Sequence, residues 1–517
     1  MNTRIGPKEE LDYLRREARR GGGQAKVEAL RASGRKTARE RIDALVDSGS
    51  FMEIDAFVLS RETEHGIDRN AILGDGVIAG SATLDGRRIL CFSQDFSVFG
   101  GSVGEMHAQK IVKIVDMALR ARLPLVAIWD GGGQRAHEGV TSLGMTGEMM
   151  DRLIACSGRI PVISLVMGPV VGASALAAAL ADFVIIGEEH GEFFMSSPLE
   201  TPEVADEGMD SKDLGGAEMH ASRSGIASLV ATDEEDAMDI VAEILSHFPD
   251  HCDALPPVRN TIDPDDRTCD ELIDTVPDDS NRPYDMKKIV ETILDDGAFI
   301  ELQPAYAENI VIGFGRLGGH PIGIIANQPK VLAGCLDIDA SVKAARFIRT
   351  CDCFNIPLVS FVDVPGFLPG TVQEWGGIIR HGAKLLYAYA ESTVPQLTVV
   401  TRKAYGGAYL AMSCKHLESD YNVAWPSGEL AVMGAEGAVN IIHRRELKDA
   451  DDPSTKHTEL VDEYRRKFGD PYVAARNGWL DDVIEPSETR MRLIRALKPL
   501  ISKRVWQPPR KHGNIPL

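Results

Sequence analysis

The 517-residue chain has no pair of cysteines at CxxC spacing. Its eight cysteines stand at 91, 156, 252, 269, 335, 351, 353 and 414. That excludes a zinc ribbon or a thioredoxin-type redox pair. No clustered His/Cys group stands at ligand spacing, so no metal site is expected. Net positive charge is missing too: 56 Lys and Arg against 77 Asp and Glu leave −21. General nucleic-acid or anionic-membrane binding needs a basic surface, so both classes are excluded. The one GxSxG spacing is GGSVG (100–104), and there is no GxxxxGK[ST] phosphate loop. The opening MNTRIGPKEELDYLRRE reads as a polar helix rather than a signal peptide. A reduced, cytoplasmic protein is expected.

Long uncharged runs are scarce. The exception is 162–181, VISLVMGPVVGASALAAALA. Gly168-Pro169 breaks this run and Asp182 closes it. It reads as a buried strand over 162–167, a tight loop and a buried Ala-rich helix, not as a membrane span.

What is present is ordinary for a globular chain: 44% apolar and 26% charged residues, with 49 Gly. The length suits two large domains. The first 41 residues hold twelve Lys/Arg and six Asp/Glu, so this arm is basic. It reads either as a solvated helix pair or as an arm that meets an anionic ligand. Residues 256–284 lie in a Pro- and Asp-rich stretch and read as a linker. It separates an N-terminal domain, 1–255, from a C-terminal domain, 285–517.

The halves repeat each other. RLPLVAIWDGGG has its Pro at 124 and NIPLVSFVDVPG at 357. Pro161 opens IPVISLVMGPVVGASA and Pro395 opens VPQLTVVTRKAYGGAY. Gly86 matches Gly319 in the same register. The chain therefore reads as two copies of one α/β unit, with apolar strands, Gly-rich turns and helices.

Each copy runs an apolar strand into a small-residue turn that opens a helix. N–H groups at a helix start can face an anion, and a pair of them forms an oxyanion hole. Candidates are Gly172 and Ala173 in one half, Gly407 and Ala408 in the other. Earlier Gly-rich turns lie at Gly131, Gly132 and Gly133, and at Gly366 and Gly370. Such turns can equally be plain strand–helix connections. His137 is available as a base, although a loop histidine is usually held by local hydrogen bonds. Cys351 and Cys353 read as buried thiols. The pattern favours chemistry by backbone electrostatics, such as stabilisation of a thioester enolate.

Several long motifs carry a resemblance: GRKTARERIDALVDSGSF (34–51), FSQDFSVFGGSVGE (92–105), DGGGQRAHEG (130–139), NQPKVLAGCLDIDASVKAARFIRTCD (327–352), FVDVPGFLPGTVQEWGGIIRHGAKLLYAYAE (361–391), KAYGGAY (403–409), AWPSGELAVMGAEGAVNIIHRREL (424–447) and PPRKHGNIPL (508–517). Nearly the whole chain resembles the β, carboxyltransferase, subunit of biotin-dependent acyl-CoA carboxylases of the propionyl-CoA carboxylase type. The resemblance implies two tandem crotonase-like domains of α/β class. The first would bind acyl-CoA and the second carboxybiotin, at a dimer interface within a homo-hexamer. A biotin carboxylase/biotin carrier α subunit would be the partner, since no Met-Lys-Met biotinylation motif is present.

The reaction implied is carboxyl transfer. CO2 leaves carboxybiotin, the ureido anion takes the α-proton of the acyl thioester, and the enolate attacks CO2. By the resemblance, Gly172 and Ala173 hold the enolate, and Gly407 and Ala408 hold the ureido oxygen. Arg35, Lys36, Gly132 and Gly133, with Gly366 and Phe367, are then expected on the CoA and biotin side. The chain departs from the family mostly in its first half. Ala173 replaces a glycine, Leu176 and Ala178 replace Tyr and Pro, Gly131 replaces Ser, and Ser196-Ser197-Pro198-Leu199 replaces Thr-Gly-Pro-Asp. Leu410 stands where relatives carry Asp or Ile. With Leu176 it is the candidate acyl-specificity residue, implying either a broader acyl range or simple space filling. Three other readings stay open: a decarboxylase or transcarboxylase subunit of the same fold, a non-catalytic scaffold paralogue, and a hydratase using Glu138.

Overall fold

The computed structural model describes residues 6–61, 72–196, 210–506 and 508–517. The chain divides into two compact units, Met1–Ala254 and Leu255–Leu517. Among the described residues, no helix is long and apolar enough to cross a membrane.

The first unit is built on one sheet. Its strands are β1 (Met52–Glu53), β2 (Val77–Leu84), β3 (Arg87–Gln94), β4 (Leu125–Gly131), β5 (Val162–Val171), β6 (Phe183–Gly187), β7 (Glu192–Phe194) and β8 (Leu229–Ala231). They are ordered β1-β2-β3-β4-β5-β6-β8, with β7 paired to β5. The β1–β2–β3 edge is antiparallel, and the remaining pairs are parallel. Every residue of β4 is buried. A parallel strand covered on both faces reads as a continuous apolar run, as LVAIW does.

The second unit repeats this plan. Its strands are β9 (Ile300–Leu302), β10 (Ile310–Leu317), β11 (His320–Asn327), β12 (Leu358–Val364), β13 (Gln396–Tyr405), β14 (Tyr421–Ala424), β15 (Glu429–Ala431) and β16 (Asp482–Val483). The order is β16-β14-β13-β12-β11-β10-β9, with β15 paired to β13. The 255–284 segment is packed into this unit, with Cys269, Leu272 and Tyr284 buried in its core.

The 162–181 run differs from expectation in one respect. The strand does not stop at Met167 but continues through Gly168-Pro169 to Val171, and the Ala173–Ala179 helix follows. Residues 163–166 pair with β6, and residues 169–171 pair with β7. The register against β4 shifts between Trp129 and Gly131. Proline lacks an N–H and is tolerated where a ladder is interrupted. β13 repeats the device, pairing first with β14 and then with β15.

Candidate active site

Both copies build the same turn at the end of their longest strand. Gly172 joins β5 to its helix at φ 64° and ψ −130°. A Cβ is strained there, so glycine is required. In the second unit Gly406, at φ 57°, opens the Gly406–Ala411 helix. Counting from the strand ends, Gly172 matches Gly406, Ala173 matches Gly407 and Ser174 matches Ala408. The pairs Gly172–Ala173 and Gly407–Ala408 are thus one residue out of step. Ala173 is the first helical residue and has no positive φ. Alanine in place of glycine therefore costs no backbone strain at that position.

The Gly172 N–H donates to the Phe194 oxygen at 2.9 Å. It is not available to a ligand. Among the described residues, the N–H groups of Ala173 and Gly133 have no acceptor. Gly133 lies against the end of β5: a Cβ on it would stand 3.2 Å from the Val171 oxygen. Two elements therefore supply the unpaired N–H groups. Gly132 has a holding role, since its N–H donates to Gly100 O at 3.0 Å. In the second unit the corresponding residues are Gly366 and Gly407. The Leu336–Phe367 bridge there matches the Val103–Gln134 bridge of the first unit.

The side chains beside the two turns differ. Phe367 lies between Gly382 and Gly407, whose Cβ positions would be 3.0 Å and 4.0 Å from its ring. Its counterpart Gln134 lies against Gly172, with Oε1 3.5 Å from where a Cβ would be. Gln134 Nε2 donates to Ser174 Oγ at 3.4 Å. Ser174 is fully buried. Neither Gln134 nor Ser174 was expected from the sequence, although carrying the repeat register through the glycine turn pairs Gln134 with the expected Phe367. Leu176 and Leu410 also prove to be counterparts, 52% and 42% exposed on the two helices.

Beneath each turn lies a buried ion pair. Asp130 accepts from Arg41 Nη1 at 2.6 Å and from Arg35. Arg41 also donates to Met167 O at 3.0 Å and to Glu234 at 2.8 Å. Burial works against the Arg41 charge, but Asp130 and Glu234 outweigh it and raise its pKa. A capping box between Thr37 and Glu40 starts the Ala38–Leu45 helix that carries Arg41. In the second unit Asp363 accepts from Arg402 Nε at 2.9 Å. Burial pushes the Asp363 carboxyl up, with Arg402 opposing.

The basic arm thus divides its roles. The Arg35 guanidinium turns inward and stacks over Phe96 at 4.2 Å. Lys36 stays half-exposed, with Nζ 3.5 Å from Glu235. It borders a cleft of about 300 Å³ shared with Gly34, Met167, His190 and Thr232.

Other candidates are accounted for locally. Glu138 accepts from Arg135 at 2.8 Å, Ser60 at 3.0 Å and the Glu105 N–H. That carboxylate closes a helix start rather than facing a turn. His137 is exposed. Cys351 is buried, and burial pushes its thiol well up. Ser196 is exposed, while Ser197, Pro198 and Leu199 lie outside the described residues.

A family model described as the carboxyl transferase domain matches residues 29–515. The chain belongs to the carboxyl transferase family. It is 50% identical over 517 residues to the propionyl-CoA carboxylase carboxyltransferase subunit of Haloferax mediterranei, covering 100% of both chains. It is 47% identical to the mitochondrial propionyl-CoA carboxylase beta chain of Mus musculus, covering 99% of this chain and 94% of that one. Among solved structures it matches transcarboxylase 12S, bound to methylmalonyl-coenzyme A and methylmalonic acid, at TM-score 0.97 and 44% identity. That match covers 100% of this chain and 99% of the other. The α/β fold is accordingly the crotonase-like carboxyltransferase fold, and the chain is a carboxyltransferase subunit of acyl-CoA carboxylase type.

Proposed function

We propose that the chain moves CO2 between carboxybiotin and the α-carbon of an acyl-CoA. The observation that carries this reading is a duplicated pair of N–H groups with no acceptor among the described residues, Gly133 with Ala173 and Gly366 with Gly407. The transcarboxylase 12S structure is named for a hexamer assembly and for substrate binding to a multienzyme core. The first unit takes the acyl-CoA. Ala173 and Gly133 donate to the thioester oxygen as it gains charge. Donors fixed beforehand need no reorganisation, and each is worth about 10²–10³ in rate. Lys36 stands at the cleft edge as a cation for CoA phosphate, and Arg35 anchors the arm that carries it.

The second unit takes the biotin ring. The residues fit a flat ring system: a Cβ on Gly366 or Gly370 would meet nothing within 4 Å, and Phe367 offers an apolar wall. Carboxybiotin supplies the carboxyl group and, once that group has left, the base. Gly366 and Gly407 orient its ureido oxygen, and Phe367 keeps water off the ring. Leu176 of one copy and Leu410 of a second copy border the acyl path in this reading. Neither carries a charge, so extended alkyl groups are accepted, and each buried methylene adds about 0.8 kcal/mol.

The assembly is a homo-hexamer that works with a biotin carboxylase/biotin carrier subunit. Val140, Trp375 and Ile379 are 80%, 86% and 79% exposed in the single chain, which supports burial against a second copy. Among the described residues no cysteine forms a disulfide, consistent with a reduced, cytoplasmic setting.

The test uses the purified chain with free biotin and malonyl-, methylmalonyl-, ethylmalonyl- and longer alkylmalonyl-CoA. Biotin-dependent loss of CO2, followed by mass of the CoA products, is expected. No turnover across the series, beside an active relative under the same conditions, overturns the reading.

A further inference from the structure

We infer that Gln134 is a side-chain donor of the first hole, placed to stabilise the thioester enolate. This rests on the acyl-CoA reading of the first unit. Three observations lead to it. First, the Gly172 N–H is committed to the Phe194 oxygen, so it adds nothing to the Ala173 and Gly133 donors. Second, the Gln134 carboxamide lies against that same turn, with Oε1 3.5 Å from the Gly172 Cβ position and Nε2 donating to Ser174 Oγ at 3.4 Å. Its Nε2 carries two hydrogens, of which Ser174 Oγ takes one. Third, the second copy is an internal control. There Phe367 and Ala408 occupy the same two positions, and neither side chain can donate.

The difference follows the chemistry of the two anions. The α-C–H of a thioester is a far weaker acid than a ureido N–H, so its anion needs more stabilisation. Side-chain amides serve this purpose in oxyanion holes elsewhere. Ser174, fully buried, restricts the carboxamide and lowers the entropy cost of its bond to the enolate oxygen. Gln134 thus acts only as charge develops and adds little to binding the neutral thioester.

The experiment compares wild type with Gln134→Leu and Gln134→Glu in the biotin-dependent decarboxylation of methylmalonyl-CoA. Binding of propionyl-CoA and of its 2-nitronate analogue, a stable mimic of the enolate, is measured in parallel. Gln134→Leu is expected to lower kcat about 10²-fold with KM within a few-fold. It should weaken the nitronate by a similar factor and leave propionyl-CoA binding unchanged. Gln134→Glu, which sets a carboxylate against the enolate, should fall further still. Equal losses for the nitronate and propionyl-CoA, or no loss for either, overturn the inference. Failure of wild type itself to bind propionyl-CoA overturns the functional reading instead.

Discussion

Gly168 on β5 and Arg402 on β13 hold the same strand position in the two copies, six residues after the strand begins. In the second unit the Arg402 side chain supplies the cation for Asp363. In the first unit a Cβ at Gly168 would overlap Asp130 and Arg35, so glycine leaves room for guanidinium groups from the basic arm. One copy carries its counter-ion on the sheet, and the other draws it from 95 residues away in sequence.

Gly168→Ala should therefore push Arg35 off Asp130. Overpacking of this kind costs about 1–3 kcal/mol. A lower Tm and faster tryptic cleavage within the first 36 residues are expected. Unchanged proteolysis would show that the arm does not depend on this space.

Arg402→Met leaves Asp363 buried without its partner, a loss of about 3–5 kcal/mol. Asp363 already has a raised pKa, so its ionised form disfavours folding. The native state then holds the proton that the unfolded state gives up above pH 3.8, and stability falls as pH rises. Removing Arg402 widens that window upward. Denaturant midpoints at pH 5 and pH 8 should show a larger loss at pH 8 for Arg402→Met. Asp363→Asn on that background should restore stability.

His107 contributes in the opposite sense. It is fully buried, with Nδ1 bonded to Asp75 O at 3.0 Å and Nε2 to Gln94 at 3.2 Å. Burial, followed by the Arg135 charge, holds its pKa down to about 3. A depressed histidine contributes stability above its unfolded pKa of 6.5 that is lost as pH falls toward 3. Gln94 also accepts the Asp130 N–H, so the loss reaches the strand end below the first hole. His107→Gln should flatten the stability profile between pH 6.5 and 4, as followed by denaturant unfolding.

Gly172→Ala and Ala173→Pro separate backbone shape from backbone donation. The first places a Cβ at a φ of 64° and should distort the turn. The second removes one N–H at a helix start where proline is otherwise tolerated. Ala173→Pro should lower kcat about 10²–10³-fold with modest change in KM. Ala173→Gly should stay within a few-fold of wild type, since Ala173 has no positive φ.

Leu176→Ala and Leu410→Ala should each move the preferred acyl chain toward greater length. A methylene in an apolar pocket is worth about 10–200-fold at most, so shifts in relative kcat/KM of about tenfold are expected. Rates for methylmalonyl- and butylmalonyl-CoA measured side by side check this. A ratio unchanged in both variants would remove these leucines from the acyl path.

The residue order alone carried the duplication, the α/β class and the positions of the glycine turns. It did so because buried parallel strands are continuous apolar runs, and because only glycine meets the backbone demands of these turns. The turn glycine Gly172 was legible for that reason, as was the family through its long motifs. Hydrogen-bond commitments were decided only by the tertiary structure. That the Gly172 N–H is held by Phe194 depends on β7 pairing beside β5, which no local pattern states. That Arg35 turns inward depends on a missing side chain at Gly168, 133 residues further along. The meeting of Gln134 with Ser174 likewise comes from two loops brought together by the sheet. Local propensity acts along the chain, whereas the partners of a polar group are set by which strands become neighbours.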